Sequence, residues 1–313
     1  MWPFLSLTLL ATTLGLPPTA LAQSSPPEPE DLFGPVSEVI IEERVVAGSS
    51  ASSQGEGSRR EVLRFENGRL TEQSNYIPRN NLLWNTSFHY QENGRLSSRT
   101  SVDGRGNLRW RYEYLYTDDG KLEREVVRGP GEVIEEILVY EYVSDRLQEQ
   151  TMFDAGNRVR WRKAFRYDER NNRRSWSVFH ADGTRIKQVE EEFDRQGRRI
   201  RESHTDGLGA VYTEVFYEYG IWDAPVRVEV FDGSGALIRY EVRQMDVAGN
   251  VILQEISRRD AERDVEIVRE LTYDEHGNWT RENTRSVVIT DGRRRVTREK
   301  LVTRDITYTA GQR

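Results

Sequence analysis

The sequence has no cysteine, only four histidines and, beyond its first 22 residues, no apolar run long enough to cross a membrane as a helix. The missing cysteine excludes disulfides, thiolate chemistry, iron–sulfur clusters, cysteine–zinc sites and a lipidated N-terminal cysteine. Apolar residues are scarce as well. They make up 36 % of the 313 residues, where a globular chain usually holds about 45–50 % with glycine counted. Charged residues reach 31 %, yet the formal net charge is only −7 and aromatics reach 10 %. Disordered chains are poor in aromatics, so the composition indicates a folded chain with a thin core. Helical periodicity is also missing: no stretch shows a capped, amphipathic helix.

The N-terminal region differs from the rest. Residues 1–22 carry no charge, and Leu5, Leu7, Leu9, Leu10, Leu14 and Leu16 form a short apolar core. Pro17 and Pro18 break it, and Ala20-Leu21-Ala22 fits a small-x-small cleavage site before Gln23. This segment is shorter than the about 20 apolar residues a bilayer requires. It is expected to be a cleaved signal peptide, although it has no Lys or Arg. The expected location is therefore periplasmic or extracellular. Residues 23–35 form a Pro-rich linker with Pro26, Pro27, Pro29 and Pro35. Residues 36–313 are expected to be a single β-repeat domain, with a first strand from Val36 and a small-residue loop over 47–58.

What fills that domain is a repeat. One series of turn residues lies at Gly68, Gly94, Gly120, Asp145, Asn171, Gly197, Asp223, Gly249 and Gly277. A second lies between them at Asn80, Gly106, Gly131, Gly156, Gly183, Gly209, Gly235, near Glu262 and at Gly292. A turn arrives about every 13 residues, and the two-turn unit is about 26 long, a period that signals a repeat architecture. Segments between turns are rich in Val, Ile, Tyr, Phe, Trp and Thr, as strands are. Gly, Asn and Asp supply the positive φ that tight hairpins need. The expected fold is all-β: an antiparallel meander of about 20 strands.

Alternation gives the sheet two faces. Leu108, Trp110, Tyr112, Tyr114 and Tyr116 share one side, with Arg109, Arg111, Glu113 and Leu115 on the other. An aromatic ladder recurs just before the first-series turns: Tyr90, Tyr116, Tyr142, Tyr167, Phe193, Tyr219 and Tyr273, with Met245 in the same series. A second apolar set follows the turns at Leu70, Leu96, Leu122, Leu147, Ile200, Val226 and Val251. Parity inverts over 236–246, where Ile238, Tyr240 and Val242 are the apolar residues; a bulge or a change of sheet curvature is expected near there. Exposed large aromatics would form a patch far above what a monomer tolerates. The sheet is expected to be a rolled or flattened β-shell with the aromatic face inside, because a closed barrel of this size has a lumen too wide to fill.

The turns YQENGRL (90–96), YTDDGKL (116–122), YDERNNR (167–173), FDRQGRR (193–199) and YDEHGNW (273–279) resemble the YD repeat of RHS-type proteins, whose core is Tyr-Asp-x-x-Gly-Arg-Leu. The resemblance covers about residues 60–295 in degenerate copies, without the Asp-Pro-x-Gly-Leu core-cleavage segment. It implies a β-sheet shell, which in that family encloses a toxin. MORN-type hairpin repeats look similar with a shorter period.

Candidate chemistry is sparse. His89, His180, His204 and His276 have no metal-ligand spacing. The Asp-Gly turns at Asp103, Asp206 and Asp232 could hold Ca²⁺ but lack further carboxylates at alternate positions. Glu135-Glu136 and Glu190-Glu191-Glu192 offer paired carboxylates, and Arg158, Arg160, Arg162, Lys163 and Arg166 form a basic run; both are better read as ion ladders on a solvated face. Trp84, Trp110, Trp161, Trp176, Trp222 and Trp279 do not share one column. The expectation is an exported structural or interaction protein, not an enzyme, without cofactor or metal. Its partner would be an unknown protein or a cell-envelope glycan, not nucleic acid. A glycan- or peptidoglycan-binding protein using exposed aromatics is one alternative. An outer-membrane β-barrel is the second, against which Lys163, Glu191, Arg239, Glu241, Arg243 and Arg269 fall on the otherwise apolar parity.

Overall fold

The structure, a computed structural model, describes residues 32–48, 58–77, 80–259 and 263–309. The stretch 1–22, most of the 23–35 linker, most of the 47–58 loop and the turn near Glu262 lie outside the described residues. Twenty strands follow one another: β1 (Val36–Gly48), β2 (Arg59–Glu66), β3 (Arg69–Ile77), β4 (Asn81–Tyr90), β5 (Leu96–Asp103), β6 (Leu108–Tyr116), β7 (Leu122–Arg128), β8 (Ile134–Val143), β9 (Arg146–Asp154) and β10 (Val159–Asp168). The second half holds β11 (Arg173–His180), β12 (Arg185–Phe193), β13 (Arg199–Asp206), β14 (Val211–Tyr219), β15 (Pro225–Asp232), β16 (Leu237–Met245), β17 (Val251–Arg258), β18 (Asp264–Tyr273), β19 (Trp279–Thr290) and β20 (Arg293–Tyr308). Each pairs antiparallel with its neighbours in the chain, and β1 pairs with both β2 and β20. Val39 sits opposite Leu63 on one side and Ile306 on the other. The meander therefore closes into a barrel, which removes the unpaired edges an open sheet would present.

The hairpins explain the repeat. At 91–95 the Gly94 N–H donates to the Gln91 carbonyl at 2.8 Å, and the Gln91 N–H donates to the Arg95 carbonyl at 2.8 Å. Gly94 has φ +87°, the left-handed position that ends a three-residue hairpin loop. Directly after the turn one residue is extra: Tyr90 opposes Leu96, but His89 opposes Ser98, leaving Ser97 in a bulge. The same shift occurs at Tyr116 and Leu122, at Tyr142 and Leu147, and in most other hairpins. The bulge puts the residue after the turn on the same face as the ladder aromatic, and then restores alternation.

One expectation is met and another is corrected. A bulge does fall within 236–246: Val230 opposes Arg239 while Phe231 opposes Leu237, leaving Ile238 extra, as happens in most hairpins. From Arg239 to Gln244 strand β16 then runs in unbroken register, with Val228 opposite Glu241. The parity inversion is one of chemistry: Arg239, Glu241 and Arg243 occupy the inner face, and Tyr240 and Val242 the outer. Ile200 and Val226 also lose their assigned places, because Arg199 opposes Phe193 and Pro225 opposes Tyr219.

Burial identifies the inner face. Val39, Leu63, Val189 and Val215 are at most 2 % exposed, and all lie on the aromatic side. Concave walls crowd side chains together, so the aromatic face is inside. A few outward residues, Val62, Val126 and Val287 among them, are buried as well. The apolar lining forms three clusters, each within a run of neighbouring strands. One centres on Val39, Leu63, Phe88 and Tyr114, one on Met152, Trp161 and Val178, and one on Val215, Val228 and Val230. Packing thus runs along the wall, as it must where a barrel is too wide for side chains to fill.

The ladder aromatics are not the deepest layer. Tyr90, Tyr116, Tyr142, Tyr167, Phe193 and Tyr219 are half-buried at one rim, and Tyr273 is exposed. The tyrosines among them reach back to the preceding hairpin on that rim. The hydroxyls of Tyr90, Tyr116, Tyr167 and Tyr219 donate to the carbonyls of Leu70, Leu96, Leu147 and Arg199 at 2.7–2.9 Å. A cation from that earlier hairpin covers each ring: Arg69, Arg95, Lys121, Arg146 and Arg198 lie 4.6–5.7 Å from the centroids of Tyr90, Tyr116, Tyr142, Tyr167 and Tyr219. Arg95 also lies across Gly120, where an added Cβ would come within 1.6 Å of its guanidinium.

Two outcomes test this architecture. Tyr114→Ala, at a site 4 % exposed, should cost about 3–5 kcal/mol in urea unfolding. Tyr116→Phe, which removes only the rim hydroxyl, should cost about 0.5–1.5 kcal/mol. Deleting Gly94–Asp119 removes β5 and β6 and rebuilds a turn between Asn93 and Gly120. The remaining strands stay even in number and should close, with a cooperative melt. Deleting Gly94–Gly106 removes β5 alone, so the last strand would meet β1 in parallel. That variant should lose β-sheet circular dichroism or oligomerise.

Candidate functional site

The residues singled out from the sequence disperse over the barrel. His89 and His180 are exposed, on β4 and at the end of β11. His276 stacks on Tyr308 at 4.1 Å in the rim turn. His180 lies on the inner parity opposite Trp161, and His204 faces inward beside Glu202. Glu190 and Glu192 face out while Glu191 faces in, because alternation separates neighbours. Glu135 and Glu136 likewise take opposite faces. The Asp-Gly carboxylates cap their own turns: Oδ1 of Asp103 accepts the Arg105 and Asn107 amides, and Oδ1 of Asp206 accepts those of Leu208 and Ala210, all at 2.9 Å. Asp232 Oδ1 does the same for Ser234 and Ala236.

The inner wall carries two polar zones. On β16–β19, Glu241 is fully buried and bonded to Arg239, to Arg243 Nε at 2.6 Å and to Gln254 Nε2 at 2.7 Å. Burial pushes its carboxyl up, but Arg243 and Arg239 outweigh that and hold it below the usual range. In this four-residue cluster the carboxylate is fully engaged, although Arg239 Nε has no hydrogen-bond partner, and the cluster is wall structure.

The second zone, on β9–β14, is more unusual. Register places Lys163 of β10 opposite Val178 of β11, and Val178 opposite Lys187 of β12. Both lysines are half-buried and both lean over one ring: their Nζ atoms lie 4.0 and 5.2 Å from the Trp176 centroid. Phe165 lies beside Trp176 on β10, with Lys163 Nζ 4.9 Å from its ring. Trp161, one row away, is 8 % exposed, and its Nε1 has no hydrogen-bond partner. The neighbouring acids are already engaged. Glu191 is held by Arg174 at 2.7 Å and Arg199 at 3.1 Å. Glu202 is held by Arg199 at 2.6 Å and His204 Nε2 at 2.6 Å, and accepts the Tyr217 hydroxyl at 3.2 Å. Burial pushes the Lys163 amine down to about 8, with Glu191 opposing and Lys187 and Arg174 adding to the fall. Burial lowers Lys187 as well, against the pull of Glu202.

Part of this zone was visible in the sequence, since Lys163 stands between Trp161 and Phe165 on the aromatic parity. Lys187 gave no signal, because only the register across β11 brings it to Trp176.

No family model and no curated protein matches the chain. Among solved structures, it is similar to a porin-like protein from Bacteroides uniformis at 10 % identity and TM-score 0.39, covering 88 % of this chain and 99 % of that one. It is also similar to a TcdB2–TccC3–Cdc42 complex at 10 % identity and TM-score 0.28, covering 88 % of this chain and 18 % of that one. For a TcdB2–TccC3 complex the values are 12 % and 0.23, covering 80 % of this chain and 20 % of that one.

The lysine environment makes a pH prediction. A lysine lowered on folding costs stability wherever the unfolded chain holds the proton and the folded one does not favour it. That cost is full below pH about 8 and fades as pH rises toward the unfolded value of 10.5. Lysine side-chain NMR should show Lys163 titrating near 8, and Lys163→Met should raise the melting temperature at pH 7 but not near pH 11. Titration of Lys163 at an ordinary value would contradict the burial.

Proposed function

We propose that the chain is an exported, non-catalytic barrel of YD-type repeats that works in an aqueous compartment of the cell envelope, with its lumen as the binding surface. The observation that carries this reading is the outer face. Rows of charge cross it from strand to strand. Arg64 bridges Glu38 at 3.2 Å and Glu72 at 2.6 Å across β1–β3. Arg201 bridges Glu192 and Glu214 across β12–β14, and Arg128 pairs with Glu113 at 3.2 Å. Such rows are stable in water and costly against lipid, where an arginine at mid-depth costs about 2–4 kcal/mol. The inner wall, in contrast, combines aromatic and charged patches suited to holding a partner, for which a cell-envelope glycan is the class we favour.

Closure of an even number of antiparallel strands favours a second reading, an outer-membrane barrel, since membrane barrels share that property. Osmotic-shock fractionation separates the two. The protein is expected in the soluble periplasmic or extracellular fraction, with Gln23 as its first residue. Extraction only by detergent, together with ion conductance in planar bilayers, would replace the aqueous reading by the membrane one.

A further inference from the structure

We infer that the inner wall over β9–β12 is a binding site for an anionic, oxygen-rich group on an envelope glycan, with Lys163, Lys187 and the Trp161 indole N–H as its donors. The inference rests on the reading of a solvent-filled lumen. Its first support is a set of donors without acceptors. Among the described residues, neither Lys163 nor Lys187 has a carboxylate within 4.0 Å, and Trp161 Nε1 is buried and unpartnered. Buried polar groups are normally satisfied, and each that is not requires an explanation. Here the Trp161 Nε1 is such a group, and the two half-buried lysines stand near it on β10 and β12, on either side of β11.

The second support is that the local acids cannot serve. Glu191 and Glu202 are consumed by Arg174, Arg199, His204 and Tyr217. Asp206, directly opposite Lys187, is turned to its own turn amides. Asp154 of β9 is held by the Gly156 and Arg158 amides and by the Arg158 side chain. The two ammoniums lean instead on the Trp176 ring, a cation–π contact that only partly replaces lost water. An incoming anion would take both lysines and the indole donor, and would offset the burial that lowers the two amines.

The shared chemistry is a cluster of anionic oxygens, carried by a uronic acid or by a sugar phosphate. The test uses the whole purified barrel and calorimetry with three probes: a galacturonate oligomer, the matching neutral galactose oligomer, and inorganic phosphate. The acidic oligomer is expected to bind and the neutral one not. Lys163→Met and Lys187→Met should each weaken binding about tenfold or more, the worth of one charge-assisted hydrogen bond. Trp161→Phe should weaken it less. Lys300→Met, on the inner face of β20 and 3.6 Å from Glu43, should leave it unchanged. Because core variants can misfold, the Lys163 titration in the parent protein provides a second readout, and its midpoint should rise when the probe is added. Phosphate binding lost in the same two lysine variants would support the site and assign it to a phosphate-bearing glycan. Equal binding of the neutral oligomer, an effect of Lys300→Met equal to that of Lys163→Met, or no binding of any probe with an unmoved Lys163 titration would overturn it. None of these results depends on the fractionation outcome, since the same titrations can be run in detergent.

Discussion

Five hairpins on one rim are each tied to the preceding hairpin on that rim by a tyrosine and a cation. In the clearest units a tyrosine hydroxyl reaches the carbonyl of the residue after the preceding turn, while the Arg or Lys just before that residue covers the ring. The sequence pattern Tyr-x-x-x-Gly-Arg/Lys-Leu is therefore divided between neighbours: the Tyr of one unit docks on the Arg and Leu of the last. A lone hairpin is marginal in water. Coupling of this kind turns a string of marginal units into a wall whose stability is shared between nearest neighbours.

The wall still needs its ends joined. β1 and β20 form the longest pairing in the sheet, and a clasp at the rim reinforces it. Asn278, 3 % exposed, accepts from the Phe33 amide at 2.7 Å and donates from Nδ2 to the Phe33 carbonyl and the Tyr308 hydroxyl at 2.8 Å. Tyr308 takes the place of a ladder tyrosine here, with its hydroxyl on Asp274. The seam thus repeats the logic of the hairpins with residues drawn from both ends of the described chain.

Closure divides the charges. A sequence with 31 % charged residues cannot keep them all outside when every strand has one face in. The outer rows pair in register across strands, where exposed pairs contribute little each but keep the surface wet. The inner charges are harder to place. Glu241 is stabilised only because two arginines and a glutamine enclose it. Lys163 and Lys187 have no such enclosure, and this difference separates a structural polar cluster from a candidate site.

Much of the fold was legible in the residues. The turn spacing, the positive-φ residues and the alternation along β6 and β10 define twenty antiparallel strands and the aromatic face, because each depends only on residues near in sequence. The Glu191 and Lys163 departures from apolar parity were legible for the same reason. Three things were not. A bulge after each turn shifts parity by one residue, so Ile200 and Val226 seemed to belong to a set that Arg199 and Pro225 fill. The union of β1 with β20 joins residues at least 250 positions apart, and no local pattern encodes it. The meeting of Lys163 and Lys187 over Trp176 depends on register across three strands. Local patterning thus determined what each strand is and which way it faces; tertiary structure decided which side chains meet across strands, because side chains two strands apart touch only once pairing has fixed their height on the wall.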